Sequence, residues 1–392
     1  MTEPVDATLP LRRAFVRVGG RAVVQHQLDI AIAAGCERLI CIVRSLEPEV
    51  VALQKRAEAA GMQFNTISAA RDLSALISAQ DEVVVIYEGL LADPASAVTL
   101  IEQGTGIFVQ PVEVGLAAGF ERIDINHASA GMMRIPGHLI EQLVQMPPDC
   151  DVPSTLTRIA LQSRLTLREV PPTGFAGSGW QIITSESQAQ AIESNWIARS
   201  IGNPVNSSPA RRFARNVVVS FGSSLLHAGN ATAMMVTVAV AFLLLALGAG
   251  WFGLPTGGFL LCVIAWLALT SAKLLRQLEK PQIIGELRPD ATLTALDWIF
   301  DALLVLLIHW AAPPLAGTPV LPTLALPITF LLLVRLCGQI SGLPGGGLIA
   351  DRMVVCLVLA AGALLGIIDW VVALGAVGLA ALVLIITGPR SS

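Results

Sequence analysis

Charged side chains are scarce in this chain: they make up 14% of its 392 residues, whereas hydrophobic side chains make up 54% and the mean hydropathy is +0.68. Soluble globular domains carry about 25% charged residues, so this composition excludes a fully water-soluble protein. The shortage is confined to the back of the chain, because 18 of 25 Lys and Arg and 22 of 29 Asp and Glu precede residue 231. The sequence therefore predicts a soluble front of 230 residues and an apolar back of 162.

Other features are absent as well. A net charge of −4 without a basic stripe of interleaved aromatic residues excludes nucleic acid as an expected partner. The six cysteines form no C-x-x-C pair and no Cys/His pattern of the zinc type, so we interpret them as small buried hydrophobic residues. The N-terminal run MTEPVDATLPLRR lacks the positive start and apolar core of a signal peptide. We therefore expect the front domain to stay in the cytoplasm.

The front of the chain, residues 1–183, alternates β-rich runs with helical stretches. The β-rich runs are AFVRV, RLICIV, MQFNTI and EVVVIYE, and helical segments such as RAVVQHQLDIAIAAG lie between them. This alternation is typical of a parallel, Rossmann-like α/β sheet. The apolar run EVVVIYE is predicted to be a central strand covered on both faces. The first helix is expected to stop at Gly35.

Candidate ligand-binding residues follow the predicted strands. In an open parallel sheet, ligands bind beyond the carboxyl ends of the strands. Gly19 and Gly20 lie between the first strand and the first helix, where backbone N–H groups can bind a phosphate, and Glu88 closes EVVVIYE. We interpret these three as candidate nucleotide-binding residues. The alternatives are a tight turn for the glycines and a helix cap or solvated acid for Glu88.

Residues 184–230 are predicted to link the front to the membrane. A polar helix is broken at GNPVNSSPARR, and ARRFARNVVVSFGSSLL follows. In that last run, Arg212 and Arg215 lie on one side and apolar residues on another, which favours an amphipathic helix on the membrane surface. An ordinary first turn before a membrane span is the alternative.

Residues 231–392 are predicted to form an all-α bundle of six transmembrane helices, because six apolar stretches have about the length that a bilayer requires. We place these spans at 231–250, 256–275, 293–312, 318–337, 353–369 and 371–388. The basic residues gather on one side of the predicted bundle, and these are Lys273, Arg276, Lys280, Arg288, Arg335, Arg352 and Arg390. This asymmetry places both termini in the cytoplasm and predicts a bacterial-type inner-membrane protein.

Two acidic residues lie within the third predicted span. Asp297 and Asp301 stand four residues apart, so they share one helix face. Charged residues in a span are costly and often functional. Paired carboxylates suit a hard divalent cation, so Asp297 and Asp301 are our candidate metal-binding residues.

The front of the chain resembles the sugar-phosphate nucleotidyltransferases. The run VRVGGRAVVQHQLDIAIAAGCERLICIV is similar to one segment of that family, and VVVIYEGLLADP is similar to the strand that carries an acidic metal ligand. The resemblance implies a nucleotidyltransferase-like fold for residues 1–183 and a nucleotide site at Gly19, Gly20 and Glu88. The family's G-x-G-x-R loop has no counterpart before Ala14, and Glu88 stands where Asp is usual.

The back of the chain resembles the CDP-alcohol phosphotransferases, which displace CMP with an alcohol in a six-helix bundle. The likeness lies in ARRFARNVVVSFGSSLL, in GNATAMMVT at the first span, in the number of spans and in the connection between the second and third spans. The family motif there is D-x2-D-G-x2-A-R-x8-G-x3-D-x3-D. With Arg276 as the motif arginine, Gly285 falls on the motif glycine, whereas Ala268 and Ser271 replace the first two aspartates.

This second resemblance also implies roles for individual residues. The pair Asp297 and Asp301 supplies the second acidic pair, for which the resemblance implies catalytic and metal-binding roles, with Mg²⁺ or Mn²⁺ as the cofactor. Arg212, Arg215 and Arg276 would bind phosphate, because guanidinium groups need no metal for that. Both active-site motifs are thus incomplete in this chain.

The order of the two halves resembles bifunctional enzymes that activate inositol phosphate with CTP and then condense the CDP-inositol at the membrane. Three hypotheses follow: a transferase of phospholipid or inositol-lipid headgroup metabolism, a catalytically inactive descendant that binds lipid or phosphate as a scaffold or regulator, and a transporter or flippase. A transporter would need polar residues or broken helices at mid-membrane depth, of which the predicted spans have few. Expected partners are membrane lipids, a CDP-alcohol or nucleotide, and a second copy of the membrane domain.

Overall fold

The computed structural model describes residues 4–6, 9–147, 150–171, 179–202, 208–227, 230–279, 290–312, 320–340 and 346–387. The chain forms two compact units. Unit 1 comprises Met1–Ile197 with Glu279–Glu286, and unit 2 comprises Ala198–Leu278 with Leu287–Ser392. Gly285 and the loop cations Lys280 and Arg288, which the sequence singled out, lie outside the described residues.

Unit 1 alternates short strands with helices. The strands are β1 (Pro4–Asp6), β2 (Leu9–Arg12), β3 (Arg17–Val18), β4 (Arg21–Ala22), β5 (Arg38–Ile42), β6 (Gln63–Ile67), β7 (Glu82–Ile86), β8 (Leu90–Ala92), β9 (Gly106–Pro111), β10 (His127–Pro136), β11 (Leu167–Glu169) and β12 (Trp180–Ile182). The helices are α1 (Val23–Ala33), α2 (Pro48–Ala59), α3 (Pro94–Glu102), α4 (Val112–Ala117), α5 (Val152–Gln162) and α6 (Glu186–Ser200), whose last residues belong to unit 2. Segments of 3-10 helix cover Arg13–Phe15, Ala70–Ala75 and Gly137–Gln145.

The sheets of unit 1 are small and mixed. β5 and β6 pair in parallel, from Arg38 opposite Gln63 to Ile42 opposite Ile67. A second sheet has the order β11-β9-β10-β7, in which β10 runs antiparallel to both neighbours and β11 runs parallel to β9. The predicted alternation of strands and helices is confirmed. The described strands do not confirm a single parallel Rossmann-like sheet.

The strand that was expected at the centre of the sheet lies at an edge. β7 carries the residues EVVVI and pairs with β10 alone among the described strands. Its four apolar residues are half-buried, and Glu82 is exposed. The prediction of a central, fully covered strand is therefore wrong for this structure, because a local apolar run does not encode how many strands pair with it.

The core of unit 1 is built on both faces of β9. Ile107 and Val109 pack with α5 on one face, whereas Phe108 packs with α3 on the other. Successive side chains of a strand point to opposite faces, so β9 contributes to two hydrophobic clusters. α1 ends before Gly35, whose φ of +71° suits glycine, and this confirms the predicted stop.

Unit 2 is helical. Its helices are α7 (Pro209–His227), α8 (Ala231–Trp251), α9 (Pro255–Glu279), α10 (Ala291–Ala311), α11 (Val320–Gln339), α12 (Gly346–Ile349), α13 (Arg352–Leu364) and α14 (Ile368–Thr387). Within the described residues, four helices are long and apolar enough to cross a membrane: α8, α9, α10 and α14. The part of α11 from Thr323 and all of α13 form shorter apolar helices. These findings support a membrane-embedded protein, and the complete six-span bundle stays a prediction.

Helix α7 has buried apolar side chains on one side and exposed apolar side chains on another. Ala210, Ala214 and Val218 are buried and follow one another at a spacing of four residues. Phe213 and Phe221 lie on another side and are 59% and 63% exposed. Large apolar side chains that point away from the protein favour contact with a lipid surface. The predicted helix is therefore present as Pro209–His227, and its position on the membrane surface stays a prediction.

Candidate functional site: a charge cluster in the helical unit

Several charged side chains of unit 2 gather near the C-terminal ends of α9 and α11, the first half of α10 as far as its centre, and the N-terminus of α13. Both carboxylate oxygens of Asp297 on α10 accept hydrogen bonds from Nζ of Lys273 on α9, at 2.7 and 2.8 Å. Both side chains are partly buried. The ammonium group of Lys273 thus contacts the carboxylate at which a metal cation was expected.

Asp301 lies one turn further along α10 and is 8% exposed. Its carboxylate accepts hydrogen bonds from Nη1 of Arg335 at 3.3 Å and from Nε and Nη2 of Arg352 at 3.3 and 3.1 Å. A third nitrogen of Arg352, Nη1, donates to the carbonyl of Ala350. A buried carboxylate is costly unless it is paired and hydrogen-bonded, and the two guanidinium groups provide both.

Two tryptophan rings connect these ion pairs. The guanidinium carbon of Arg335 lies 3.6 Å from the ring centroid of Trp298. Trp266 is 4.9 Å from Nζ of Lys273 and 5.7 Å from the guanidinium carbon of Arg352. Cation–π contacts of this kind favour a fixed position for each cation. Lys273, Arg335 and Arg352 therefore belong to one cluster, in which three cations meet the two carboxylates.

A further ion pair joins α9 to the start of α10. Nε of Arg276 donates to the carboxylate of Asp290 at 2.9 Å, and the same carboxylate caps α10 by accepting from Thr292. The hydrogen bond from the Thr292 hydroxyl, followed by that from Arg276, lowers the pKa of Asp290 to about 2. Arg276, which was predicted to bind phosphate, thus contacts an acid in this structure.

The start of α7 lies beside the start of α13. The buried carboxylate of Asp351 accepts from the backbone N–H of Ala210 at 2.6 Å and from that of Met353 at 2.9 Å. Arg212, in the first turn of α7, is exposed to solvent. Arg215 donates to the carbonyl of Ala198, and its Nε is buried without a hydrogen-bond partner among the described residues.

The structure gives the two candidate metal ligands different partners. Asp297 pairs with α9, whereas Asp301 pairs with α11 and α13. Within the described residues, no group of three or more His, Cys, Asp and Glu side chains is placed to hold a metal ion. A divalent cation at Asp297 and Asp301 would have to displace Lys273 and two guanidinium groups.

The candidate nucleotide-binding residues of unit 1 have structural partners. Gly19 and Gly20, with φ of +62° and +75°, form the turn between β3 and β4. The backbone N–H of Gly19 donates to Oε1 of Glu193 at 2.8 Å. Glu88 accepts from the backbone N–H of Ala14 at 3.3 Å. The tight-turn interpretation therefore describes the two glycines, and the Gly19 amide is occupied by a carboxylate of the same chain.

Sequence reasoning missed the basic side of the cluster. It assigned Lys273, Arg335 and Arg352 only to the charge asymmetry of the loops. Each of them lies within or at the end of an apolar helix, and the cost of a charge at such a position was a signal available in the sequence. The choice of partners was not available, because the paired residues lie 24 to 51 positions apart.

Comparison with known proteins does not assign the chain to a family. No protein-family model matches the sequence, and no curated protein shows significant similarity to it.

Proposed function

We propose that this protein is a non-catalytic membrane protein that binds a phosphate-bearing headgroup, of a lipid or of a CDP-alcohol, through the charge cluster of unit 2. One observation carries this proposal: both carboxylates that a transferase would use for metal binding are paired with basic side chains. Together, Lys273, Arg335 and Arg352 exceed the charge of Asp297 and Asp301 by one positive charge.

Arg335 is the best placed residue for an anion. Its side chain is 23% exposed, and one of its nitrogens, Nη1, is engaged by Asp301 in the structure. A guanidinium group has five N–H donors in a planar fork that matches phosphate oxygens. Stacking on Trp298 fixes the plane of that fork. The remaining donors of Arg335 are the ones that we assign to the phosphate.

The resemblance to CDP-alcohol phosphotransferases supports the choice of ligand class. In that family the pyrophosphate meets two metal ions held by four aspartates. Here Ala268 and Ser271 stand at two of those positions. The carboxylates at the other two positions, Asp297 and Asp301, form ion pairs with basic side chains of the same protein. Direct arginine contacts replace metal in this proposal, and no bond of the ligand is broken.

The experiment is titration of the full chain in nanodiscs with CDP-inositol and with inorganic pyrophosphate, in Mg²⁺ and in EDTA. We expect equal affinity in both buffers and at least tenfold weaker binding by Arg335→Gln. Arg71→Gln, at an exposed position of unit 1, is the matched control and should bind as the parent chain does.

The variant Asp301→Asn gives the sharpest test. The carboxylate competes with the ligand for Arg335 and Arg352, so its removal should strengthen phosphate binding. A metal-dependent transferase predicts the opposite, because the variant would lose a metal ligand. Binding that requires Mg²⁺ and disappears in Asp301→Asn would refute the non-catalytic proposal and favour the transferase.

A further inference from the structure

Arg335 and Arg352 share the carboxylate of Asp301 unequally. All three side-chain nitrogens of Arg352 donate hydrogen bonds: Nε and Nη2 donate to Asp301, and Nη1 donates to the carbonyl of Ala350. Arg335 donates to Asp301 through Nη1 alone. Among the described residues, Nε and Nη2 of Arg335 have no hydrogen-bond partner. These two nitrogens are therefore available to a ligand.

The charge balance of the cluster leaves one positive charge uncompensated. Lys273 and Asp297 neutralise each other through two hydrogen bonds. Asp301 supplies one negative charge to two guanidinium groups, and Arg352 makes two of the three hydrogen bonds to it. A charge on an apolar helix is costly unless it is paired. We therefore expect a single negative charge beside Nε and Nη2 of Arg335.

The stacking on Trp298 restricts the direction from which this anion can approach. The guanidinium carbon of Arg335 lies 3.6 Å from the ring centroid, so the ring covers one face of the guanidinium plane. Oxyanions bind to a guanidinium group within that plane, along its N–H bonds. The side chain of Arg335 is partly exposed, so it is not sealed inside unit 2. An oxyanion can therefore reach the edge of the plane that carries Nε and Nη2.

Large apolar side chains adjoin this position on the outside of unit 2. Trp298 is 52% exposed although it stacks on Arg335, and its neighbour Ile299 is exposed as well. On α11, Leu332 lies one turn before Arg335 and is exposed, and so is Leu336, which follows directly after it. α10 is long and apolar enough to cross a membrane, and α11 is also apolar. In a membrane-embedded protein, such an exposed apolar surface meets acyl chains.

Arg335 lies near the end of its helix. Gln339, the last residue of α11, follows four residues later, which is about 6 Å along the helix axis. Arg352 is the first residue of α13. Tryptophan side chains such as Trp298 are enriched at the level where a membrane meets water, which is also the level of the lipid headgroups. A lipid phosphate can therefore reach Arg335 without leaving its leaflet.

We propose that Arg335 binds the phosphate of an anionic glycerophospholipid from the surrounding bilayer. This inference rests on the proposed function, and it narrows the ligand to a lipid that approaches the cluster from the membrane side. The lipid phosphodiester carries one negative charge, which matches the excess charge of the cluster, and its oxygens accept hydrogen bonds from Nε and Nη2. An acyl chain lies against Trp298 and Leu332. A CDP-alcohol without acyl chains, or inorganic phosphate, lacks that second contact.

The experiment measures how closely a lipid approaches Trp298. The full chain is placed in phosphatidylcholine nanodiscs with a minor fraction of brominated lipid, which is either phosphatidylglycerol or phosphatidylcholine. Bromine on an acyl chain quenches tryptophan fluorescence at short range. The difference between the parent chain and Trp298→Phe isolates the emission of Trp298. We expect brominated phosphatidylglycerol to quench this emission at least threefold more strongly than brominated phosphatidylcholine does.

Two variants and one soluble compound test the role of Arg335. Arg335→Gln keeps Trp298 and removes the positive charge, so the two brominated lipids should quench it equally. Arg211→Gln removes an exposed arginine of α7 outside the cluster. It is the matched control and should keep the preference of the parent chain. Glycerophosphoglycerol, the same headgroup without acyl chains, should leave the quenching unchanged.

Equal quenching by the two lipids in the parent chain would overturn the inference, whether or not the variants fold. So would a preference that persists in Arg335→Gln or disappears in Arg211→Gln. Relief of the quenching by glycerophosphoglycerol would also overturn it, because the site would then select a free phosphate. Pyrophosphate binding through Arg335 together with equal quenching would refute this inference alone. Absence of both would refute the proposed function as well.

Discussion

Mild acid should destabilise unit 1 through His26. This side chain is 6% exposed, its Nε2 lies 3.0 Å from the carbonyl of Val18, and its ring meets the edge of Trp196 at 5.1 Å between centroids. The carbonyl can only accept, so Nε2 carries the proton of a neutral ring. Burial, followed by the nearby charge of Arg21, lowers the pKa of His26 from 6.5 to about 3.

The size of the effect follows from proton linkage. Below pH 6.5 the unfolded chain protonates His26, whereas the folded chain does so only below about pH 3. The unfolded state therefore binds more protons in this window, and stability falls as the pH falls, by about 1.36 kcal/mol per pH unit. Between pH 7.5 and 5.5 the free energy of unfolding should decrease by about 1.4 kcal/mol because of His26 alone.

The measurement is urea unfolding of the full chain, followed by hydrogen exchange in α1, at pH 7.5 and 5.5. His26→Gln is the comparison, because glutamine can donate to Val18 and does not titrate. The parent chain should lose about 1.4 kcal/mol more than the variant. His127 contributes in the opposite direction, since Asp124 raises its pKa, but it is common to both proteins. Equal losses in the two proteins would refute the reasoning.

Two further substitutions test packing and capping. Gly19→Ala would place a Cβ 2.1 Å from the ring of Trp196 at a φ of +62°, whereas Gly35→Ala has φ of +71° and nothing within 4 Å. Both variants should lose about 1–2 kcal/mol of unfolding free energy because alanine is strained at a positive φ. In urea unfolding, Gly19→Ala should lose about 1–3 kcal/mol more than Gly35→Ala because its Cβ clashes with Trp196. Asp351→Ala should lower the melting temperature of unit 2, because a buried cap worth about 1 kcal/mol or more is lost. The exposed Asp369→Ala is its control, and similar melting temperatures for the two variants would contradict that role.

Local features of the fold could be predicted from the sequence. The stop of α1 at Gly35 depends on one residue that tolerates positive φ, and the helices of unit 2 depend on runs of apolar residues. Such signals lie within a few turns of the chain. They give the place and type of many elements, and they do not give the partners of those elements.

The sheet order and the charge cluster could not be predicted, because both depend on distant residues. β7 resembles a buried central strand in its composition, yet its pairing is decided by β10, which follows some forty residues later. Asp297 and Asp301 look equivalent in the sequence. In the structure one meets Lys273 and the other meets Arg335 and Arg352. The metal-binding hypothesis was made without the positions of these cations, and it stays a prediction.

The distances along the chain between Asp301 and its cations have a consequence for biogenesis. During synthesis, Asp301 leaves the ribosome 34 residues before Arg335 and 51 residues before Arg352. A lone aspartate at the centre of an inserting helix costs about 2.5–3.5 kcal/mol. Helix α10 therefore reaches the insertion machinery before its counter-charges exist. We expect its stable integration to wait for α11 and α13, so that α10 completes its insertion only after these later helices have been synthesised.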